Sequence, residues 1–180
     1  MTRWVALLRG VNVGGITIKS ADLRALFGGL GFGAVATVLA SGNVVFDAGD
    51  APTADGRDAL KRTIEQALSD RFGYEAWIVL LTQSELASRA GEYPFPRQDD
   101  ESHPYLVFGS DEAVLDELYA SAEALRSERD ALARGTGVIY WRAPKGGSTD
   151  TPVAKLVAKA RYRSTTTNRN LLTVEKLLKA

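Results

Sequence analysis

The chain begins its pattern with five apolar residues in a row, Trp4-Val5-Ala6-Leu7-Leu8. A run apolar at every position is a strand buried on both faces, so it predicts a central strand of a sheet. Ser20 then stands as an N-cap, and Leu23, Leu26, Phe27 and Leu30 follow at helical spacing. Val35 to Ala40 and Val44 to Phe46 flank Ser41-Gly42-Asn43, which reads as a hairpin. Leu60, Ile64, Ala67, Leu68 and Phe72 share one face of a helix from about Ala54 to Phe72, and Trp77 to Leu81 is a closing strand. The order is βαββαβ, the split-βαβ arrangement.

The second half repeats that order with unrelated residues. Tyr105 to Phe108 is a strand, and Val114, Leu115, Leu118, Ala122 and Leu125 mark a helix. Ala131 to Arg134 and Val138 to Trp141 form a hairpin around Gly135-Thr136-Gly137. A helix over Thr151 to Ala160 has Pro152 in its first turn, where proline is tolerated. Thr165-Thr166-Thr167 reads as a short last strand, and Thr173 to Lys179 as a terminal helix. The pattern predicts an α+β protein of two tandem ferredoxin-like (α/β-plait) units packed as one globular protein. Residues 1–90 form the first unit and residues 91–180 the second, with its C-terminal helix. The segment from Gly91 to Pro104 is the connection, and the helices cover one face of each sheet.

Chemistry concentrates directly after the first strand, in Arg9-Gly10-Val11-Asn12-Val13-Gly14-Gly15. Glycine permits positive φ and close approach of backbone N–H groups to a ligand. Arginine presents a planar fork that matches a carboxylate or phosphate. The structural reading of the same residues is a tight turn, with Asn12 bonding to local backbone. A phosphate-loop NTPase is excluded, because Ile16 occupies the position of the required lysine. Gly28-Gly29-Leu30-Gly31-Phe32-Gly33 ends a helix, whereas a dinucleotide fingerprint must open one.

Composition narrows the field further. The chain has 180 residues, 45% of them hydrophobic, and no cysteine, which excludes disulfides, thiolate metal sites and a cysteine nucleophile. No segment is apolar for long enough to span a bilayer, and the start lacks a signal-peptide pattern, so a cytoplasmic protein without membrane partners is expected. The net charge is zero but unevenly spread. Residues 1–44 carry +3, residues 134–180 carry +8, and the middle carries −11. The acidic middle reads as solvated helix faces, and the basic tail as attractive to anions. His103 has no second histidine to join in a metal site, and Asp99-Asp100-Glu101 is too short for a calcium loop. No metal or cofactor is expected.

Leu7-Leu8-Arg9-Gly10-Val11-Asn12-Val13-Gly14-Gly15, then Ile18-Lys19, Asp22-Leu23-Arg24 and Ser41-Gly42-Asn43-Val44-Val45-Phe46, make the chain similar to a widespread bacterial family, domain of unknown function sixteen ninety-seven. Pro94-Phe95-Pro96, Arg169-Asn170 and Thr173-Val174 extend the likeness along the chain. The resemblance implies two α/β-plait units and leaves the activity open. The chain departs from the family where Asp150-Thr151 replaces a Ser-Lys pair. It departs again where Leu171-Leu172 follows Asn170 in place of Trp-Asn.

The candidate ligand-binding residues are Arg9, Gly10, Asn12, Gly14, Gly15, Ser41, Asn43, Arg169 and Asn170. Each has a structural counterpart: Ser41-Gly42-Asn43 as hairpin chemistry and Arg169-Asn170 as a cap on the last helix. The first strand-to-helix loop and the hairpin are expected at opposite ends of the sheet, which separates Arg9 from Asn43. Three function classes follow. The first is binding of a small anion bearing phosphate or carboxylate, by fold-level analogy with acylphosphatases, which use a Gly-rich first loop with an Arg and an Asn. The second is a scaffold in which the motifs are structural. The third is an RNA-binding module, disfavoured because Asn43-Val44-Val45-Phe46-Asp47 lacks the aromatic pattern that stacks bases, so nucleic acid is not an expected partner.

Overall fold

The computed structural model describes residues 1–12, 15–40, 42–49, 53–146 and 149–180. Among these the chain forms two four-stranded antiparallel sheets and six α-helices. The chain divides into two compact units, residues 1–87 with 176–180, and residues 88–175.

The first unit runs β1 (Thr2–Leu8), α1 (Ser20–Gly29), β2 (Gly33–Thr37), β3 (Asn43–Ala48), α2 (Ala54–Phe72) and β4 (Ile78–Thr82), with strand order β2-β3-β1-β4. The apolar run is central as expected, since β1 pairs antiparallel with both β3 and β4. Trp4, Ala6 and Leu8 join Phe46, Leu23 and Phe27 of α1, and Ile64 and Leu68 of α2, in one buried core. Phe27 meets Phe46 edge-on, ring centres 5.1 Å apart. Val5, Leu7, Val45 and Leu81, which alternate with the core residues, are buried too. That accounts for an unbroken apolar run where a half-buried strand would alternate. The ends of α2 are written locally. Thr53 Oγ1 accepts from Gly56 N at the start, and Gly73, at φ 66°, closes the end.

Next comes α3 (Gln83–Gly91). The second unit runs β5 (Ser102–Gly109), α4 (Glu112–Leu125), β6 (Ala131–Gly135), β7 (Val138–Pro144), α5 (Pro152–Val157), a 3-10 turn (Ala160–Tyr162) and β8 (Thr166–Asn170), with strand order β6-β7-β5-β8. The final helix is α6 (Leu171–Leu177). Val107, Ile139 and Trp141 pack with Leu115, Leu118 and Ala122 of α4 and Val153 of α5. Trp141 Nε1 donates to Asp130 Oδ1 at 2.9 Å, which satisfies the indole in the core.

Four expectations need correction. Helix α3 was not expected, because Gln83 to Gly91 offers only Leu86, Ala87 and Ala90 as apolar residues. The second strand begins and ends earlier than expected. Ala34 is left-handed at φ 43° and the β2–β3 register shifts between Gly33 and Ala36, the ladder resumes through Thr37, and the left-handed Leu39 at φ 57° follows beyond its end. The helix after Thr151 stops at Val157 and passes into the 3-10 turn. The last strand reaches Asn170, so Arg169 and Asn170 are strand residues.

Candidate functional site

The antiparallel β1–β3 ladder pairs Leu7 with Asn43. The end of β1 therefore lies beside the start of β3, and the loop after β1 lies at the same end of the sheet as the hairpin before β3. This overturns the expectation that they occupy opposite ends. An antiparallel partner starts where its neighbour stops. Leu8 N donates to Gly42 O at 2.8 Å, and Arg9 N donates to Trp77 O at 3.0 Å, so the start of β4 joins the same end.

The loop is built around Asn12, which is left-handed at φ 58°. Its Oδ1 accepts from Ile18 N at 2.9 Å, and its Nδ2 donates to Ile18 O at 3.2 Å and also to Ala40 O of the hairpin. Asn12 N donates to Ile16 O at 2.8 Å, and Val11 bridges Ile16 in parallel. Val11 and Ile18 are buried beneath. One amide thus closes the loop on itself and ties it to the hairpin. Asn tolerates this backbone better than other non-glycine residues.

Asn43 is fully buried, and its Nδ2 donates to Val38 O at 2.8 Å. Val38 N in turn donates to Asn43 O at 3.0 Å. Gly42 is at φ 73°, and a Cβ there would lie 2.8 Å from Leu8 Cβ. Gly10, at φ 71°, and Gly15 are exposed. Gly14 and Ser41 lie outside the described residues.

Three cations gather on this end. Arg9 is partly buried, and Lys19 is exposed at the N-cap position of α1, which no side chain caps. Arg24, on the second turn of α1, donates through Nη1 to Thr37 Oγ1 at 2.9 Å. Asp22 lies in the first turn between them. Lys19 and Arg24 were not among the expected ligand-binding residues. Their signal was their position around a helix start that follows the loop.

Arg169 and Asn170 belong to the second unit. Arg169 is buried, and its Nη1 donates to Thr167 Oγ1 and Asn168 O, each at 2.7 Å. Asn170 Oδ1 accepts from Leu172 N at 2.9 Å, which caps the first turn of α6.

The acidic stretch before β5 is an anchor. Asp99 Oδ2 accepts from Ser102 Oγ at 2.5 Å and from Arg142 Nε at 2.9 Å, and Oδ1 accepts from Glu101 N at 2.8 Å. These bonds, with the Ser102 hydroxyl foremost, then the Glu101 amide and the Arg142 guanidinium, hold its carboxyl well below the usual aspartate range. A carboxyl depressed in the folded state stabilises the protein above its unfolded pKa of about 4 and loses that contribution as pH falls through the folded value. Thermal unfolding followed from about pH 6 down to pH 2 therefore shows a decline that Asp99→Asn makes shallower. Parallel curves for the two proteins would contradict this. His103 follows within β5, its ring centre 6.1 Å from that of Tyr105. Among the described residues no group of three or more His, Cys, Asp or Glu is placed to hold a metal ion. Nor is any helix there long and apolar enough to cross a membrane.

The fold is shared with a solved structure, that of conserved bacterial protein SP0830 from Streptococcus pneumoniae. The likeness has a TM-score of 0.80 at 24% identity and covers 99% of this chain and 97% of that one. No curated protein matches the chain. A family model matches residues 1–140, which include the Arg9 loop, the hairpin and the sheet end they build, and the chain belongs to that family, described as protein of unknown function (DUF1697).

Proposed function

We propose that the protein binds a small anion, a phosphate- or carboxylate-bearing compound, at the end of the first sheet where the Arg9 loop meets the hairpin. The observation that carries this reading is the pairing of Leu7 with Asn43. It brings the loop, the hairpin, the uncapped start of α1 and the cations Arg9, Lys19 and Arg24 to one end. A helix start with N–H groups unserved by a side chain favours negative charge, and nearby cations add to that field. The reading assigns different work to the motif residues. Asn12 and Asn43 shape the site, while Arg9, Lys19 and the glycine backbone at Gly10 and Gly15 face the ligand. We read each unit as a ferredoxin-like plait, on the βαββαβ order and the strand orders given above, and the protein as cytoplasmic, in keeping with a chain free of cysteine.

A second reading, a scaffold whose motifs are purely structural, draws on the bonds of Asn12, Asn43 and Asn170 to backbone groups. A nucleic-acid partner is disfavoured because Phe46 of β3 is buried against Phe27 and offers no platform for bases.

Arg9→Lys separates the two leading readings, since lysine keeps the charge and loses the planar fork. Under the anion reading the wild type gains roughly 3–6 °C in melting temperature with phosphate at about ten times its Kd, from about 1.4 kcal/mol of linkage. The variant loses most of that gain, measured against its own melting temperature without ligand. A variant that melts clearly lower and responds to phosphate as the wild type does overturns the anion reading in favour of the scaffold.

A further inference from the structure

Leu39 is held in two unfavourable ways at once. Its backbone is left-handed, at φ 57°, a region that a branched residue without a hydrogen-bonding side chain rarely enters. The residue is 51% exposed, one of few large hydrophobic residues so placed among those described. Glycine or asparagine would suit the backbone better, and any polar residue would suit the solvent better. The conformation is imposed from both sides. Val38 is clamped by the side chain and the carbonyl of Asn43, and Ala40 O receives the Asn12 amide. Leucine here weakens the hairpin, and it sits on the end of the sheet that carries Arg9, Lys19 and Arg24. Backbone strain kept at an exposed position is a mark of a functional surface.

We infer that Leu39 is a specificity-determining contact for the apolar part of the ligand, which is thus a phosphate or carboxylate joined to a hydrophobic group such as an aromatic ring or a short alkyl chain. This inference rests on the anion reading above. The cations hold the charged head, and Leu39 loses its exposure to water when the apolar part covers it. Covering about half of a leucine side chain and the matching ligand surface corresponds to a gain of about ten-fold in affinity.

The test uses the full chain and two probes, inorganic phosphate and phenyl phosphate, read by thermal shift and by titration calorimetry. The wild type is expected to bind phenyl phosphate about ten-fold more tightly than inorganic phosphate. Leu39→Gly and Leu39→Asn are expected to melt a few degrees higher than the wild type without ligand, by roughly 2–6 °C for relief of a left-handed residue. Both should bind inorganic phosphate as the wild type does and lose the preference for phenyl phosphate. Equal binding of the two probes by the wild type, or a preference that survives both substitutions, overturns the role of Leu39 and leaves the anion reading standing. No binding of either probe by the wild type overturns the anion reading and this inference with it.

Discussion

Asn12→Ala lowers stability by about 3 kcal/mol in the absence of any ligand, a fall of roughly 6–12 °C in melting temperature for a chain of this size. The substitution removes the acceptor for Ile18 N and the donors for Ile18 O and Ala40 O. It also places alanine at φ 58°, which asparagine tolerates better. Water can reach part of this half-buried loop, which keeps the cost below three full desolvation penalties. Asn12→Asp provides an informative partner. The carboxylate can still accept from Ile18 N but faces the Ile18 and Ala40 carbonyl oxygens with negative charge, so most of the loss should persist. Urea unfolding at neutral pH measures both. A loss under about 1 kcal/mol for the alanine variant would mean that the loop does not depend on this side chain.

Gly42→Ala should cost about as much, for a different reason. The residue sits at φ 73°, and an L-residue there loses about 1–2 kcal/mol to the left-handed backbone. The added Cβ would also stand 2.8 Å from Leu8 Cβ and 3.4 Å from Val11 Cβ. Neither neighbour can rotate away, since both atoms are fixed to the backbone, and overpacking of this kind adds about 1–3 kcal/mol. The total is about 3 kcal/mol. Gly73→Ala isolates the first contribution. Gly73 has φ 66°, and nothing lies within 4 Å of its would-be Cβ. If the two variants lose equal stability, close approach of the hairpin to β1 contributes nothing.

These predictions bear on how the site is divided between shape and chemistry. Large losses at Asn12 and Gly42 without ligand establish the shape of the sheet end. They leave its chemistry to Arg9, Lys19 and Leu39, whose variants are read through ligand response.

Much of the architecture was legible in the residues alone because its causes are local. The run Trp4 to Leu8 announced a doubly buried strand, and the structure has it in the middle of its sheet. The span of α2 was readable from the apolar face of Leu60, Ile64 and Leu68, and the structure adds Thr53 and Gly73 as its caps. Pro152 in the first turn of α5 was equally plain. The resemblance to the family was read from the residues around Arg9, Gly42-Asn43 and Asp22-Leu23-Arg24, and the family match spans residues 1–140. Where the local signal was faint, the reading failed. Helix α3 is short and offers only Leu86, Ala87 and Ala90 as apolar residues, and the left-handed Ala34 shifts a ladder that looked regular.

The sequence by itself determined the central strand of the first sheet, the span of α2 and most of the element order, that a glycine-rich loop with an arginine follows the first strand, and the family that the chain resembles. Those properties depend on residues a few positions apart, through period, propensity and capping. Only the tertiary structure decided which end of the sheet each loop occupies. That depends on the pairing of Leu7 with Asn43, residues far apart in sequence, and on the direction in which β3 returns past β1. The same pairing decided what the asparagines do. Asn12 could have faced a ligand or the backbone, and the nearness of Ile18 and Ala40 turned both ends of its amide inward. A side chain with donors and acceptors bonds to whatever the fold brings within reach, and that is set by long-range packing rather than by its neighbours in the chain.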